Sequence, residues 1–220
     1  MAPRSPGALA LLGLGVCAAL AAAAPDRSAQ AAGPPRTLPS LPLHCQVAPG
    51  PAGPVVRRAW LMAQLASANA AYAPAGMRFE LVAHGPLPAG HAVLETRRDR
   101  AALGRYWRRG VLNCFVVGRL RDVDDPTQWR RGVHWRSPER PERHWVILSS
   151  VGPASTLGHE LGHYFGHAGH RPEPGNLMSL DHGPAPQLDA GQRRLVRRGA
   201  WEALTERALL TALLIQRLRR

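Results

Sequence analysis

Five consecutive residues, His159-Glu160-Leu161-Gly162-His163, have the types and spacing for metal-assisted hydrolysis. On a helix, residues four apart project from one face about one turn apart, so two imidazoles converge on one small cation. Glu160, beside His159, reaches a water on that cation without ligating it. Zinc lowers the pKa of such a water to roughly 7, and a carboxylate in hydrogen-bond reach takes its proton as it attacks a peptide carbonyl. The same carboxylate then passes the proton to the leaving amine. Zn2+ is therefore the expected cofactor. A pattern with three fixed letters also arises by chance, and a helical His pair is often surface decoration. Here the motif follows a strand-like run and a small-residue turn, and Gly166 stands where a helix must break to bring a third ligand round.

The elements that must position this pair are legible upstream. Residues 41–47 alternate well enough for a first strand, ended by the Pro/Gly cluster at 49–54. A helix over 55–72 puts Trp60, Leu61, Leu65 and Ala68 on one face, and residues 74–76 stop it. Residues 77–82 read as a second strand, 99–108 as a short basic helix, and 111–117 as a third strand. The last run is nearly all apolar, which suits burial on both faces among parallel neighbours. Residues 132–135 form a weak, polar edge strand and 144–148 a stronger one, leading into a motif helix over 156–166. From 188 to 220 the chain reads as helical, with Leu195, Leu209, Leu210, Leu213 and Leu214 as candidate core. An Arg-rich amphipathic end can lie on an anionic membrane, but docking on the domain is the commoner outcome. The order of elements describes an α/β or α+β sandwich.

Residues 1–24 read as a secretory signal peptide: Arg4 supplies positive charge, residues 7–24 are uncharged and Ala/Leu-rich, and Ala21 to Ala24 suit a signal peptidase. A retained anchor is disfavoured because alanine is weakly hydrophobic. Cys17 follows Leu14-Gly15-Val16, yet Val16 is bulkier than lipoprotein processing wants. A secreted, extracytoplasmic location follows. Residues 25–40, rich in Ala, Pro, Ser and Gly, read as a flexible lead-in, leaving residues 41–220 as one domain. All 28 basic side chains are arginine, which looks like codon bias in a GC-rich bacterial genome. Loss of residues 1–24 removes Arg4 alone among the charges, so the net charge falls only from +13 to +12. The arginines come scattered in ones and twos, as on a solvated surface, so no nucleic-acid partner is expected and only a loose attraction to anionic envelope surfaces. A monomer acting on a protein or peptide is expected. Asp122, Asp124 and Asp125 could form a calcium loop, although such a triplet is more often a solvated turn. Trp107, Trp129, Trp135 and Trp145 read as core or loop packing rather than as a ligand platform. After cleavage Cys45 and Cys114 remain, and an oxidising compartment permits a disulfide between them.

The stretch from His159 to Gly166 resembles the first eight positions of the extended metzincin motif, in which a third His follows the Gly by three residues. Here that position holds Gly169, flanked by His167 and His170. Downstream, Gly175-Asn176-Leu177-Met178-Ser179 resembles the family's Met-turn, whose methionine forms an apolar floor beneath the metal. Met178 lies eight residues past His170, a spacing similar to the matrixin branch counted from its third His. The resemblance implies His159, His163 and His170 as zinc ligands, with His167 as the alternative and Asp181 and His182 in reserve. It implies Glu160 as general base of a zinc-dependent endopeptidase. A thermolysin-like (gluzincin) reading would take Glu202 as third ligand, against which the Met178 turn argues. If both His167 and His170 reached the metal, the closed site would mark a non-catalytic zinc-stabilised binding protein.

Residues 69–80, with Tyr72-Ala73-Pro74-Ala75-Gly76-Met77-Arg78-Phe79, resemble more weakly small bacterial metzincins related to the pappalysins. The implied fold is α+β, an α/β-like sandwich. It has a mixed, mainly parallel five-stranded sheet with an antiparallel edge strand, two long helices including the active-site helix, the Met-turn and C-terminal helices. It would make residues 41–47 and 111–117 adjacent strands, placing Cys45 near Cys114 as a disulfide or as two buried thiols. Its edge strand would pair with an extended substrate. A zinc-capping role for Cys45 conflicts with its place in a strand. The tyrosine that some metzincins place after the Met-turn methionine is lacking, since Ser179-Leu180-Asp181 stands there.

Overall fold

The apolar periodicity resolves into nine main elements in a computed structural model that describes residues 38–181, 183 and 185–218, with side chains up to residue 205. In chain order they are β1 (Leu41–Val47), α1 (Arg58–Tyr72), β2 (Phe79–Pro86), α2 (Arg97–Ala102), β3 (Leu112–Val117), β4 (Gly132–Arg136), β5 (His144–Ser149), α3 (Thr156–Tyr164) and α4 (Ala190–Leu218). Residues 1–37, with Cys17 and the expected signal segment, and His182 lie outside the described residues.

The five strands form one sheet in the order β2-β1-β3-β5-β4, parallel except for β4, which runs antiparallel to β5. All six residues of β3 are buried, because this central strand has parallel neighbours on both edges and packed layers on both faces. One face carries α1, α3 and the start of α4 over Leu43, Cys45, Cys114, Val116, Val146 and Leu148. The other packs Phe115, Val117, Trp145 and Ile147 against Leu87, Leu94, Leu103 and Leu120. Each fully buried leucine in these layers contributes about 1.5–3 kcal/mol relative to exposure. The described residues form one compact unit. Among the described residues no helix is long and apolar enough to cross a membrane.

Several elements depart from expectation, among them β2, which runs over Phe79–Pro86 rather than 77–82, and α1, which starts at Arg58 rather than 55. The active-site helix is nine residues long rather than a second long helix, because the chain turns left-handed at Gly166 (φ 106°). The C-terminal region is one continuous helix, α4, not several. The basic helix starts earlier, at Arg97, because Thr96 and Asp99 form a capping box, and after Ala102 it tightens into a 3-10 turn, Leu103–Tyr106.

Candidate metal centre

Helix α1 fixes α3 in place through buried polar contacts. Gln64, fully buried, donates to the carbonyl of Pro153 (2.8 Å) and accepts from the backbone amide of Leu157 (2.9 Å), so it ties down the first turn of α3. The Tyr72 hydroxyl donates to the Gly158 carbonyl (3.0 Å). Gly158 lets the two helices approach closely: a Cβ there would stand 3.5 Å from the Cα of Ala68. α3 ends where the amide of His167 bonds back to the Gly162 carbonyl (3.0 Å), which sends the chain past the helix axis toward His170.

His159, His163 and His170 converge, with one ligand atom from each within 4.8 Å of the others. Nδ1 of His159 donates to the carbonyl of Leu177 (2.8 Å) and Nδ1 of His163 to the carbonyl of His167 (2.7 Å). A carbonyl only accepts, so each Nδ1 carries the ring proton and each Nε2 presents a lone pair. Those two Nε2 atoms face one another at 3.2 Å. Two lone pairs so aligned repel unless a cation lies between them, and tetrahedral Zn–N bonds of about 2.0–2.1 Å need nitrogens roughly 3.3 Å apart. The donor set therefore fits zinc, and the carbonyls that fix both rings are outer-shell partners of the usual kind.

His167 points elsewhere. Its Nδ1 meets the Gly169 carbonyl (2.7 Å) and its Nε2 the side-chain amide of Gln192 (3.3 Å). Gln192, buried on α4, also exchanges hydrogen bonds with Asn176 (3.0 Å each way), and Asn176 accepts from the amide of Met178 (2.9 Å). One glutamine thus ties α4 to both loops beside the histidines. Met178 is fully buried, and a Cβ on Gly162 would run into its sulfur. Asp181 and Glu202 are exposed and belong to no metal-ligating group among the described residues.

Glu160 is 5% exposed. Burial pushes its pKa up to about 8, opposed by a hydrogen bond from the His134 backbone amide and by the charges of Arg130 and Arg100. That amide belongs to β4, so the edge strand orients the carboxylate. Gly132 on the same strand leaves room for it: a Cβ would stand 2.8 Å from both Cγ and Oε1 of Glu160. The His134 ring meets His144 (2.9 Å between Nε2 and Nδ1), which stacks on Tyr164 at 3.7 Å. Burial first, then His144, Arg136 and His163, lower the His134 pKa to about 3.

Two cavities flank the histidines along β4. One, of about 430 Å³, is lined by Arg100, Asp122, Asp124, Arg130, His134 and His163 among others. The second, of about 260 Å³, lies toward Trp129, Arg131, Thr156 and Leu180. A larger apolar cavity of about 600 Å³ opens at the C-terminal ends of β1 and β2, away from the histidines. Gly132, His134, Gln192 and Arg100 carry no signal in the sequence, because each acts through a neighbour distant along the chain.

Cys45 and Cys114 are directly opposite in β1 and β3 and are free thiols, not the disulfide that the expectation left open. Adjacent strands space such a pair poorly for the bond geometry. The hydrogen bond between the thiols, with burial, raises the Cys114 pKa well above its ordinary value. The carboxylates of the acidic loop have partners in its own backbone and in two arginines. Asp122 accepts the amides of Asp124 (2.9 Å) and Asp125 (3.3 Å) and pairs with Arg130, Asp124 pairs with Arg97, and Asp125 bonds Thr127. The tryptophans form no common platform. Trp145 is core against Phe115, Trp129 lies between Arg119 and Arg121, Arg143 covers Trp107, and Arg100 covers Trp135.

The sequence matches no family model and no curated protein. Solved structures do share its fold. An archaemetzincin from Methanopyrus kandleri matches at 19% identity over 73% of this chain and 96% of that one (TM-score 0.51). Mirolysin, determined in complex with a compound, matches at 12% over 76% and 96% (TM-score 0.55). Metalloproteinase-II from Bacteroides fragilis matches at 14% over 75% of this chain and 54% of that one (TM-score 0.50). At these identities the likeness is one of fold, and the chain has a metzincin-type fold. That fold carries a histidine triad positioned to bind a metal ion.

Proposed function

We propose that this protein is a zinc-dependent endopeptidase of metzincin type, exported from a bacterial cell and acting as a monomer on protein or peptide substrates. The observation that carries the reading is the facing pair of Nε2 lone pairs on His159 and His163, with the buried Glu160 carboxylate on the same helix turn. His159, His163 and His170 would hold the metal. Zinc at this place would supply Lewis acidity, which would lower the pKa of a water in the site to roughly 7. Glu160, held by the His134 amide, takes the proton from the attacking water and delivers it to the leaving amine. The outer edge of β4, which has no strand neighbour, aligns an extended peptide by those backbone groups that His134 does not give to Glu160. Met178, packed beneath Gly162, serves as the Met-turn methionine and holds α3 against the loop. Both ring nitrogens of His167 are engaged away from the site, which argues against a closed, purely structural zinc centre. Export rests on the composition of residues 1–24.

The test is zinc content and casein cleavage on residues 25–220 of the parent, Glu160→Ala and His170→Ala. The expected pattern is one zinc and cleavage in the parent, zinc without cleavage in Glu160→Ala, and loss of both in His170→Ala. A parent that binds zinc and cleaves nothing across varied peptides overturns the reading.

A further inference from the structure

We propose that this site selects substrates bearing a carboxylate side chain, and that Arg100 is the residue that receives it. The inference rests on the peptidase reading above and names its substrate class.

Arg100 is only 4% exposed, an unusual place for a guanidinium. It lies over the Trp135 ring at 5.3 Å, and its Nη2 donates to the Arg121 carbonyl (2.6 Å). Its Nε has no hydrogen-bond partner, and no acidic side chain among the described residues forms an ion pair with it. Yet it lines the cavity of about 430 Å³ that also contains Glu160, His163 and His170. The two aspartates on that wall are already committed, Asp122 to Arg130 and two backbone amides, Asp124 to Arg97. Of the three guanidiniums beside these aspartates, Arg97 and Arg130 form the ion pairs, while Arg100, the most buried, feels Asp122, Asp124 and Glu160 only from beyond ion-pair distance. A buried charge without a directly bonded counter-ion is costly, and a ligand that bonds it with the opposite charge recovers part of that cost.

The strand geometry brings such a ligand within reach. β4 presents one unpaired edge, and its side chains alternate: the His134 ring faces Tyr164 on α3, while Val133 and Trp135 pack on the opposite face. A peptide added to this edge also alternates. Side chains on one face meet the histidines, and those on the other face enter the wall formed by Arg100, Asp122 and Arg130. A glutamate or aspartate there supplies Arg100 with a direct ion pair. The net charge of +13 draws acidic substrates in the same sense.

The experiment compares peptide pairs differing only in Glu against Gln, or Asp against Asn, stepped through the positions flanking the scissile bond. With the zinc-loaded parent, kcat/KM should favour the acid at least about tenfold at one position, as for a hydrogen bond to a charged group. Arg100→Gln should bring that ratio to near one, and Arg100→Lys should retain part of it. Equal cleavage of acid and amide at every position by the parent overturns the proposal, as does a ratio kept in Arg100→Gln. Fluorescence anisotropy of the same pairs on the Glu160→Ala variant separates this failure from failure of the peptidase reading. An acid preference in binding that Arg100 carries supports the receptor even if no cleavage is seen, and equal binding overturns it. If Arg100→Gln does not fold, the parent's own ratio and the Arg100→Lys ratio decide.

Discussion

Gly132→Ala isolates the positioning of Glu160 from the binding of the metal. The substitution adds a methyl to an edge strand, where alanine is tolerated by the backbone and touches no histidine of the triad. The new Cβ would stand 2.6 Å from Cγ2 of Thr156 and 2.8 Å from both Cγ and Oε1 of Glu160. Relief to an ordinary contact of about 3.4 Å moves the carboxylate by roughly 0.6 Å or pushes β4 outward, at about 1–3 kcal/mol of overpacking strain. Because Glu160 is 5% exposed and α3 is fixed by Gln64 and Tyr72, its side chain has little room to retreat. A misplacement approaching 1 Å costs a catalytic group about 100-fold. The expected outcome is unchanged zinc stoichiometry, a modest loss of stability, and kcat/KM on a reference peptide lower by about 30- to 100-fold. Zinc titration, chemical denaturation and a fluorogenic peptide assay on the same samples read all three. Parental kcat/KM in a folded, zinc-loaded Gly132→Ala protein would refute the reasoning.

His170→Ala should weaken zinc binding by more than about 100-fold, whereas His167→Ala, which removes an outer contact, should weaken it about tenfold; a competitive chelator titration ranks them, and the reverse order would reassign the third ligand. Gly162→Ala drives a methyl into the Met178 sulfur and to 3.0 Å from its Cε, and should cost about 2 kcal/mol or more in denaturation, partly recovered by a second substitution, Met178→Ala. His134, with its pKa lowered to about 3, takes up no proton in the folded state where the unfolded chain does. Its contribution is therefore fully present above pH 6.5 and is lost progressively as pH falls toward 3, amounting to a few kcal/mol at most. His134→Asn should flatten the acid slope of stability, and identical slopes in parent and variant would dismiss this role. Chelation should lower the thermal midpoint, with free zinc at a thousand times its Kd restoring about 4 kcal/mol; a midpoint indifferent to zinc would count against a metal site.

The sequence by itself determined whatever depends on neighbours close along the chain. Strand β1 begins and ends where alternation and the Pro/Gly cluster put it, and β3 is as buried as its apolar run required. The facing of His159 and His163 follows from helical periodicity alone, which is why that pair was legible. Local signals fared worse where ends compete: α3 stops two residues early because Gly166 turns left-handed. What only the tertiary structure decided lies between distant segments. The choice between His167 and His170 depends on Gln192, 25 residues beyond His167 on another helix, which occupies one ring and leaves the other to the triad. Cys45 and Cys114 are neighbours through strand order, yet strand spacing leaves them thiols. The confinement of Glu160 by Gly132, and the burial of Arg100 over Trp135, arise because β4 closes the sheet beside α3 and under α2. Periodicity fixes which way a side chain points from its own element, whereas what it meets there is set by packing between elements that the chain order does not reveal.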